Sequence, residues 1–361
     1  MPVDESFWNP YRMIQVGDKI KKESPVTDEK FNGHNGMITC SLTNLTSLYI
    51  GGNRDEYHSK NRTFLKRKDS GKFLIPGSSL KGLIRSTTEI VGNGCMITNK
   101  NNACNQINSL CIACRMFGMM ERKRNASVHK GKISFSDAII LEDRPSTKSF
   151  EVYLSSCGTR HEPFYRTPET GRLDNKSRKL YFHQPKRTES VPSLSTIIKS
   201  KAWNINALLP GHSFDFTVQF SNLTEQELSV LIYALTLEED VRVTIKDNNQ
   251  QLVGPLRHKL GNAKPLGLGS CCINIKKLIL HKNPDQRFAS LVNDYEFEYV
   301  DKSLEELILN KIQPFVKDKS NTMQQFRKMM IWDENDDRVF KYPDYNWFQK
   351  SENSQKTLKH I

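Results

Sequence analysis

The chain has 361 residues, and its 53 lysines and arginines against 40 aspartates and glutamates give a net charge of +13. This excess favours a polyanionic partner, above all a nucleic acid, and the length allows one large domain or two ordinary ones. The sequence contains no run of the ~18 apolar residues needed to span a bilayer, and its first residues lack a signal-type apolar run. We therefore expect a cytoplasmic protein with no membrane partner.

Residues 1–35 show few periodic apolar positions and are predicted to form an N-terminal arm. Its aromatic cluster at 7–11 can anchor the arm to the body, which we favour, or to a neighbouring subunit. Rough alternation of apolar and polar residues over 36–50 predicts the first core strand, and Gly51-Gly52 ends it. The segment 53–73 carries more cations than carboxylates. It is expected to be a basic loop that leads to the next element.

An apolar strand end at residues 74–75 breaks at Pro76-Gly77 and runs directly into a helix that extends to Val91. Apolar residues recur at helical spacing, and the two serines after the break are predicted to cap the first turn. Free backbone N–H groups, the positive dipole end, two hydroxyls and two cations suit a phosphate, although such turns also simply start helices. The candidate phosphate-binding residues are Ser78, Ser79, Lys81 and Arg85.

Four cysteines follow this helix between residues 95 and 114. Two thiolates separated by two residues can bind one metal ion from a tight turn, and two more nearby complete a tetrahedral zinc site. A four-thiolate site is normally closed, so structural Zn²⁺ is favoured over catalytic zinc and over unligated thiols. The predicted ligands are Cys95, Cys104, Cys111 and Cys114.

Strands are predicted over 131–141 and 149–155, and residues 158–206 then lose all periodicity. Aromatic residues alternate with lysines and arginines in this basic insertion, as expected where phosphates are neutralised and bases stack on rings. The candidate RNA-binding residues of the insertion are Arg160, Arg178 and Lys179. His161 and His183 are interpreted as surface or RNA-contact residues.

The second half of the chain begins with a clearly alternating strand over 211–220. A helix follows, with the capping box Thr224-x-x-Glu227, and then a short strand over 241–246. A glycine-rich loop opens onto a strand at 271–275, and its glycines permit close approach of the backbone to a phosphate chain. The loop lacks the strand-then-helix context of a nucleotide-cofactor site. The candidate RNA-binding residues of this loop are Lys259, Gly261, Lys264, Gly267 and Gly269.

The order strand, helix, paired strands, strand, helix, glycine loop, strand predicts an α+β fold close to a ferredoxin-like, RRM-like βαββαβ unit with large insertions. We place this core at 36–280, including the zinc loop 95–114 and the basic insertion 158–206. Amphipathic stretches predict that residues 281–361 form a C-terminal helical extension with a polar tail.

The sequence resembles the RAMP superfamily, in particular the Cas-seven-type backbone subunits of type III and related CRISPR–Cas effector complexes. The matching segments are Asn-Pro-Tyr at 9–11, Leu-Tyr-Ile-Gly-Gly at 48–52, Ile-Pro-Gly-Ser-Ser-Leu-Lys-Gly at 75–82 with Arg85, Cys-x-x-Cys-Arg-Met-Phe-Gly at 111–118, Gly-Lys-Ile-Ser-Phe-Ser-Asp-Ala at 131–138, Leu-Pro-Gly at 209–211, and Lys-Leu-Gly-Asn-Ala-Lys-Pro-Leu-Gly-Leu-Gly at 259–269.

This resemblance implies an RNA-binding subunit that stacks in several copies along a guide crRNA and grips its backbone independently of sequence. The insertion at 158–206 would be a thumb that intrudes into the guide–target duplex. The implied partners are the guide crRNA, complementary target RNA, further copies of the chain and other CRISPR effector subunits, including a separate nuclease where this subunit does not cut.

Active members of the family carry an aspartate in the loop before the Pro-Gly-Ser-Ser block, and this aspartate cuts target RNA. Aligning backwards from that block without gaps places Asn61 there, and an amide is a poor base and a weaker ligand for Mg²⁺ or Mn²⁺. We therefore expect a scaffold that holds the duplex without cutting it. The alternative is a metal-dependent endoribonuclease acting through Asp55 or Glu56. Processing of guide precursors by His58 or His161 is a third, weaker hypothesis, since no second catalytic group accompanies either.

Overall fold

The computed structural model describes residues 9–16, 20–26, 33–52, 60–96, 103–154, 161–166, 177–186, 202–245, 250–281, 296–340, 343, 345–356 and 358. Within these ranges, mostly antiparallel sheets and helices form a mixed α+β fold, as the sequence predicts. None of the helices found there is both long enough and apolar enough to cross a membrane.

The strands are β1 (Tyr11–Gln15), β2 (His34–Asn44), β3 (Asn61–Arg62), β4 (Leu74–Ile75), β5 (Met119–Met120), β6 (Val128–His129), β7 (Ile133–Phe135), β8 (Ala138–Ile140), β9 (Thr147–Val152), β10 (Ser177–Tyr181), β11 (Trp203–Leu208), β12 (Ser213–Leu223), β13 (Val241–Ile245), β14 (Gln250–Gly254), β15 (His258–Lys259), β16 (Ser270–His281) and β17 (Glu296–Tyr299). The helices are α1 (Gly77–Val91), α2 (Ile112–Phe117), α3 (Glu225–Thr236), α4 (Asp301–Val316), α5 (Asn321–Met330) and α6 (Tyr345–Gln349). Short 3₁₀ helices cover Glu162–Tyr165, Lys264–Leu266 and Ser351–Asn353.

The largest sheet has the order β15-β16-β2-β12-β8-β4, with β17 paired to β16 and β7 paired to β12. Its neighbouring strands are antiparallel. In β12, Phe214, Phe216, Val218 and Phe220 are buried while the residues between them are not, which confirms the predicted alternation. These side chains belong to the main hydrophobic core. Helices α1 and α3 contact each other, and α3 also contacts β16 and α4.

Helix α1 begins directly after strand β4, as predicted, but its first turn is capped differently from the expectation. The N-cap residue is Pro76, which makes no side-chain cap hydrogen bond, so the prediction that Ser78 and Ser79 cap the turn is wrong. Both serines lie inside the helix, because the helix already begins at Gly77, directly after the proline. The carboxylate of Asp137 instead accepts the backbone N–H of Gly77.

The capping box of α3 is confirmed. The Thr224 hydroxyl accepts the Glu227 backbone N–H at 3.2 Å, and the Glu227 carboxylate accepts the Thr224 backbone N–H at 3.0 Å. The same buried carboxylate also binds Arg115 and Lys132. The start of α3 is therefore tied to α2 and to the chain before β7.

The basic insertion contains regular structure that its sequence did not predict. Strand β10 pairs antiparallel with β1 of the N-terminal arm, bringing Tyr181 opposite Tyr11 and Lys179 opposite Met13. The sequence of β10 shows no alternation of apolar and polar residues, because its lysine and arginine interrupt the pattern. A strand that pairs on one edge can form without a continuous apolar face. Strand β11 pairs with β9 and, in parallel, with β3.

The C-terminal extension forms helices α4 and α5, as its amphipathic pattern predicts. Helix α5 contacts α1, β1, β10 and β13. Its Arg327 donates to the buried carboxylate of Glu238 at 3.0 Å. Helix α6 returns to the insertion, where the ring of Trp347 lies 5.8 Å from that of Phe164. The extension is thus packed against the core and the insertion.

Candidate metal centre and basic cleft

The four predicted zinc ligands converge on one buried point. The sulfur atoms of Cys95, Cys104, Cys111 and Cys114 lie within 4.8 Å of one another, and each residue is at most 4% exposed. Sulfurs around a tetrahedral zinc ion, with Zn–S bonds of about 2.3 Å, stand roughly 3.8 Å apart. The cluster can therefore hold one metal ion such as zinc, and its four thiol donors are those of closed structural sites.

Backbone groups stabilise these sulfurs. The backbone N–H groups of Cys95, Cys104 and Cys111 donate to the sulfurs of Cys111, Cys95 and Cys104 at 3.3, 3.4 and 3.3 Å. The thiols also hydrogen-bond one another, which lowers the pKa of Cys111 and raises that of Cys114. Because a metal binds thiolates, ligation would release the protons that the cluster shares.

A cleft of about 500 Å³ opens between α1, β10 and the glycine loop, which we define as residues 259–269. It brings together three segments that lie far apart in the sequence. The residues predicted to bind RNA that line it are Ser79, Arg178, Lys179, Lys259, Gly261 and Lys264. Apolar side chains complete the lining, among them Ile50, Leu83, Leu180, Phe326 and Met330.

Two glycines determine the path of the glycine loop. Gly261 has φ +80°, and a Cβ there would lie 2.5 Å from the carbonyl oxygen of Tyr49. Gly269 has φ +84°, and its Cβ would lie 1.9 Å from the carbonyl oxygen of Leu260. Any larger residue would clash with rigid backbone at either position. The loop can thus pass close to the β2–β3 segment and present its backbone to the cleft.

Lys259 supports the glycine loop from within. It is 5% exposed, and its ammonium donates to the carbonyl of Gly267 and to the hydroxyl of Ser270, both at 3.0 Å. Gly267 and Gly269 do not line the cleft. Of the predicted loop residues, Gly267 and Gly269 therefore shape the loop without lining the cleft. Gly261 and Lys264 line the cleft, and Lys259 lines it while also supporting the loop.

Two of the lysines that line the cleft, Lys179 and Lys264, differ in their surroundings. The ammonium of Lys179 lies 3.6 Å from the ring centre of Tyr11 and within 6 Å of the rings of Tyr165 and Tyr181. Burial lowers the pKa of Lys264. Among the residues that the structure describes, no hydrogen-bond acceptor or carboxylate pairs with the Lys264 ammonium. An anion bound beside Lys264 would therefore stabilise its buried charge more than it would stabilise that of Lys179.

The cations of α1 point away from the cleft. The Lys81 ammonium donates to the Ile133 carbonyl at 3.0 Å, and burial, together with the nearby charge of Arg85, lowers its pKa. The guanidinium of Arg85 donates to the carboxylate of Glu89, the carbonyl of Gly118 and the sulfur of Cys114. Ser78 is exposed in the first turn and, like Lys81 and Arg85, does not line the cleft.

Asn61, at the position expected for the family's aspartate, lies in β3 with an exposed side chain. Its Oδ1 accepts a hydrogen bond from Asn204 Nδ2 at 3.0 Å. The nuclease candidates Asp55 and Glu56, and the RNA-binding candidate Arg160, lie outside the described residues.

The interpretation of His183 as a surface or RNA-contact residue is wrong. His183 is 2% exposed and makes hydrogen bonds to the Ser270 hydroxyl and the Arg257 carbonyl, and its burial lowers its pKa. The position of this histidine beneath the glycine loop depends on long-range packing that a local pattern does not encode. His161 hydrogen-bonds the Lys356 carbonyl at 2.9 Å. His58 lies outside the described ranges.

Sequence reasoning missed Glu89, which is 1% exposed and binds both Arg85 and Arg178. The four-residue spacing of Arg85 and Glu89 is that of a helical ion pair and could have identified the first contact. The contact of Glu89 with Arg178 joins α1 to β10, and no local sequence pattern predicts it.

Fold and site together define an α+β protein with a buried four-cysteine cluster that can hold a metal ion and with a cationic cleft. Residues 41–271, well over half of the chain, match the model of the RAMP superfamily. The chain therefore belongs to the RAMP superfamily. A search of the curated proteins finds no match to it.

Proposed function

We propose that this chain is a Cas-seven-type backbone subunit of a type III or type III-derived CRISPR–Cas effector complex, and that its cleft binds the backbone of the guide crRNA. Membership of the RAMP superfamily is compatible with a CRISPR effector subunit. The observation that carries the proposal is the cleft itself, in which Arg178 and Lys179 of β10 meet Lys264 of the glycine loop.

The chemistry of the cleft suits a phosphodiester chain rather than particular bases. Its cations can pair with phosphates, while the Ser79 hydroxyl and the backbone at Gly261 can donate hydrogen bonds to phosphate or accept them from ribose. The apolar side chains between the cations offer surface to sugars and base faces. Binding is therefore expected to tolerate any guide sequence.

The order of the long strands supports a ferredoxin-like core at 36–280. Strand β2 lies between β16 and β12, and β12 in turn carries β7 and β8, with α1 and α3 in the connections. In the proposed βαββαβ unit, β2, β7 with β8, β12 and β16 would be the strands, and α1 and α3 the helices. Within our proposal, residues 158–206 form the thumb that contacts the guide–target duplex, and residues 281–361 form an extension of the core.

The proposed partners are further copies of the chain, the guide crRNA, complementary target RNA and other effector subunits. The proposed cofactor is structural Zn²⁺ at the four cysteines. We further propose that the subunit holds target RNA without cutting it, because the family's loop aspartate is matched by Asn61. Mg²⁺ or Mn²⁺ would be required only by the alternative, cleavage through Asp55 or Glu56.

The test compares two double variants with the same change in charge. The first double variant, Lys179→Ala with Lys264→Ala, removes two cations of the cleft. The second, Lys302→Ala with Lys317→Ala, removes two exposed cations, one in α4 and one directly after it. Binding of a guide-length RNA is measured over a range of salt concentrations. The cleft variant should lose roughly 10–100-fold in affinity, and its salt slope should fall by about 2. Equal affinities for the two variants would refute the assignment of the cleft.

A further inference from the structure

A continuous run of polar contacts joins the metal centre to the cleft across helix α1. The sulfur of Cys114 accepts a hydrogen bond from Arg85 Nη2 at 3.6 Å, and Arg85 Nε lies 3.1 Å from Glu89 Oε1. The other oxygen of Glu89 binds Arg178, which also donates to the hydroxyl of Ser86. Arg178 and Ser86 line the cleft.

We propose that the four-cysteine centre positions the guanidinium of Arg178 for RNA binding, through Arg85 and Glu89. This inference rests on the proposed function of the cleft. It assigns the metal centre a role beyond holding its own loop together, and it makes Arg85 and Glu89 positioning residues rather than RNA contacts.

The contacts of Arg85 hold its guanidinium in a fixed position relative to the cysteine cluster. Its Nη1 donates to the carbonyl of Gly118 at 3.1 Å, so the guanidinium is anchored within α2 at Cys114, just after the end of α2 at Gly118, and at Glu89. A planar guanidinium with three fixed partners has little freedom to rotate. A metal ion, when bound, would keep the Cys114 sulfur in the thiolate form that accepts from Arg85.

Glu89 links the position of Arg85 to that of Arg178, because it binds both arginines. It is 1% exposed, and its burial raises its pKa while Arg178 and Arg85 act against that shift. Each carboxylate oxygen takes a different arginine, so the position of one guanidinium fixes that of the other. Without this pairing, Arg178 would keep only Ser86 as an anchor on α1.

The first experiment is a double-mutant cycle on the full chain, with guide-length RNA as the probe. Arg178→Ala should weaken binding by about tenfold, as expected for the loss of a charge-assisted hydrogen bond, and Glu89→Gln should weaken it several-fold. In the Arg178→Ala background, Glu89→Gln should have no further effect, because Glu89 acts only through Arg178. General damage to the fold would instead lower affinity in both backgrounds.

Two further variants control this cycle. Glu238→Gln neutralises another buried carboxylate that binds an arginine, yet neither Glu238 nor its partner Arg327 lines the cleft, so RNA affinity should stay within about twofold. If Glu89→Gln does not fold, Arg85→Lys replaces it, since a lysine keeps the charge but cannot hold three directional partners. Its effect should likewise vanish in the Arg178→Ala background.

The second experiment compares zinc-loaded protein with protein treated with a chelator, using metal content and RNA affinity as readouts. Zinc removal should lower the affinity of the wild type more than that of Arg178→Ala. Equal losses in the two proteins, or an effect of Glu89→Gln that persists without Arg178, would overturn the inference. An Arg178→Ala variant with wild-type affinity would overturn it too. A wild-type chain that fails to bind RNA at all would instead count against the proposed function itself.

Discussion

Asp137 accepts the backbone N–H of Gly77 at 2.8 Å, so a carboxylate 60 positions further along the chain caps the first turn of α1. A negative charge at a helix N-terminus also interacts favourably with the helix dipole. Asp137→Ala should therefore lower the free energy of unfolding by about 1 kcal/mol, measured by urea denaturation. Asp143→Ala is the control, because the Asp143 carboxylate, paired with Lys72, is 87% exposed and such surface pairs add little. Similar losses in both variants would contradict the capping role.

If the four cysteines bind zinc, replacing one of them should affect zinc binding and stability far more than replacing a cysteine outside the cluster. Cys111→Ser should abolish binding of about one zinc ion per chain and destabilise the protein by about 3 kcal/mol or more, a fall in Tm of roughly 6–12 °C. Cys272→Ser should keep both zinc and stability, because Cys272 is half-buried in β16 and lies outside the cluster. Elemental analysis and thermal melting provide the readouts. Retention of zinc by Cys111→Ser would count against the site.

The sequence predicted the local elements well because their signals are local. The alternation of β12, the capping box of Thr224 and Glu227, and the four cysteines each lie within a short stretch of chain. Which candidates would share the cleft could not be predicted in this way. Ser79 and Lys264 meet only because α1 and the glycine loop converge in the folded chain. Lys259 shows the limit of prediction from the sequence. Its place in a glycine-rich loop suggests a phosphate ligand, but in the fold it is buried and its ammonium supports the loop.

RNA binding should depend on pH through Lys264. Burial lowers the pKa of this lysine, so its ammonium loses its proton at a lower pH than an ordinary lysine does. Only the protonated form attracts phosphate, and affinity should therefore fall as the pH rises through that lowered pKa. Lys264→Arg should move the decline to higher pH, because a guanidinium keeps its charge. Identical pH profiles of RNA affinity for the two proteins would exclude Lys264 as a phosphate contact.

The C-terminal tail should protect the insertion. His161 and Phe164 pack against Trp347 and Phe348 with ring centres 4.4 to 6.2 Å apart within this cluster. Trp347→Ala should remove aromatic contacts worth about 0.5–1.5 kcal/mol each and raise amide hydrogen exchange over 161–166 by roughly tenfold. Lys350→Ala, an exposed change nearby, should leave exchange unchanged. Unaltered exchange in Trp347→Ala would show that the tail does not stabilise this segment.

Target RNA should be bound by the guide-loaded oligomer and left intact. The expectation rests on Asn61, whose amide oxygen already accepts a hydrogen bond from Asn204 and cannot act as a carboxylate base. Guide-loaded protein, free of other nuclease subunits, is incubated with complementary RNA and Mg²⁺ or Mn²⁺, and the products are separated by length. No regularly spaced fragments should form. Regular cuts that disappear in Asp55→Ala or Glu56→Ala would instead identify the chain as a metal-dependent endoribonuclease.

A gain-of-function variant sharpens this test. Asn61→Asp places a carboxylate, a good ligand for a hard divalent cation, at the exposed end of β3 without changing the length of the side chain. If the position corresponds to that of the family's catalytic aspartate, this variant should cut target RNA at regular intervals in Mg²⁺ or Mn²⁺ while the wild type does not. Asn204→Asp is the matched control, because it adds the same charge to the partner of the same hydrogen bond in β11. Cleavage by both variants would reflect a general gain of negative charge near the RNA, and cleavage by Asn61→Asp alone would locate the scissile phosphate next to β3.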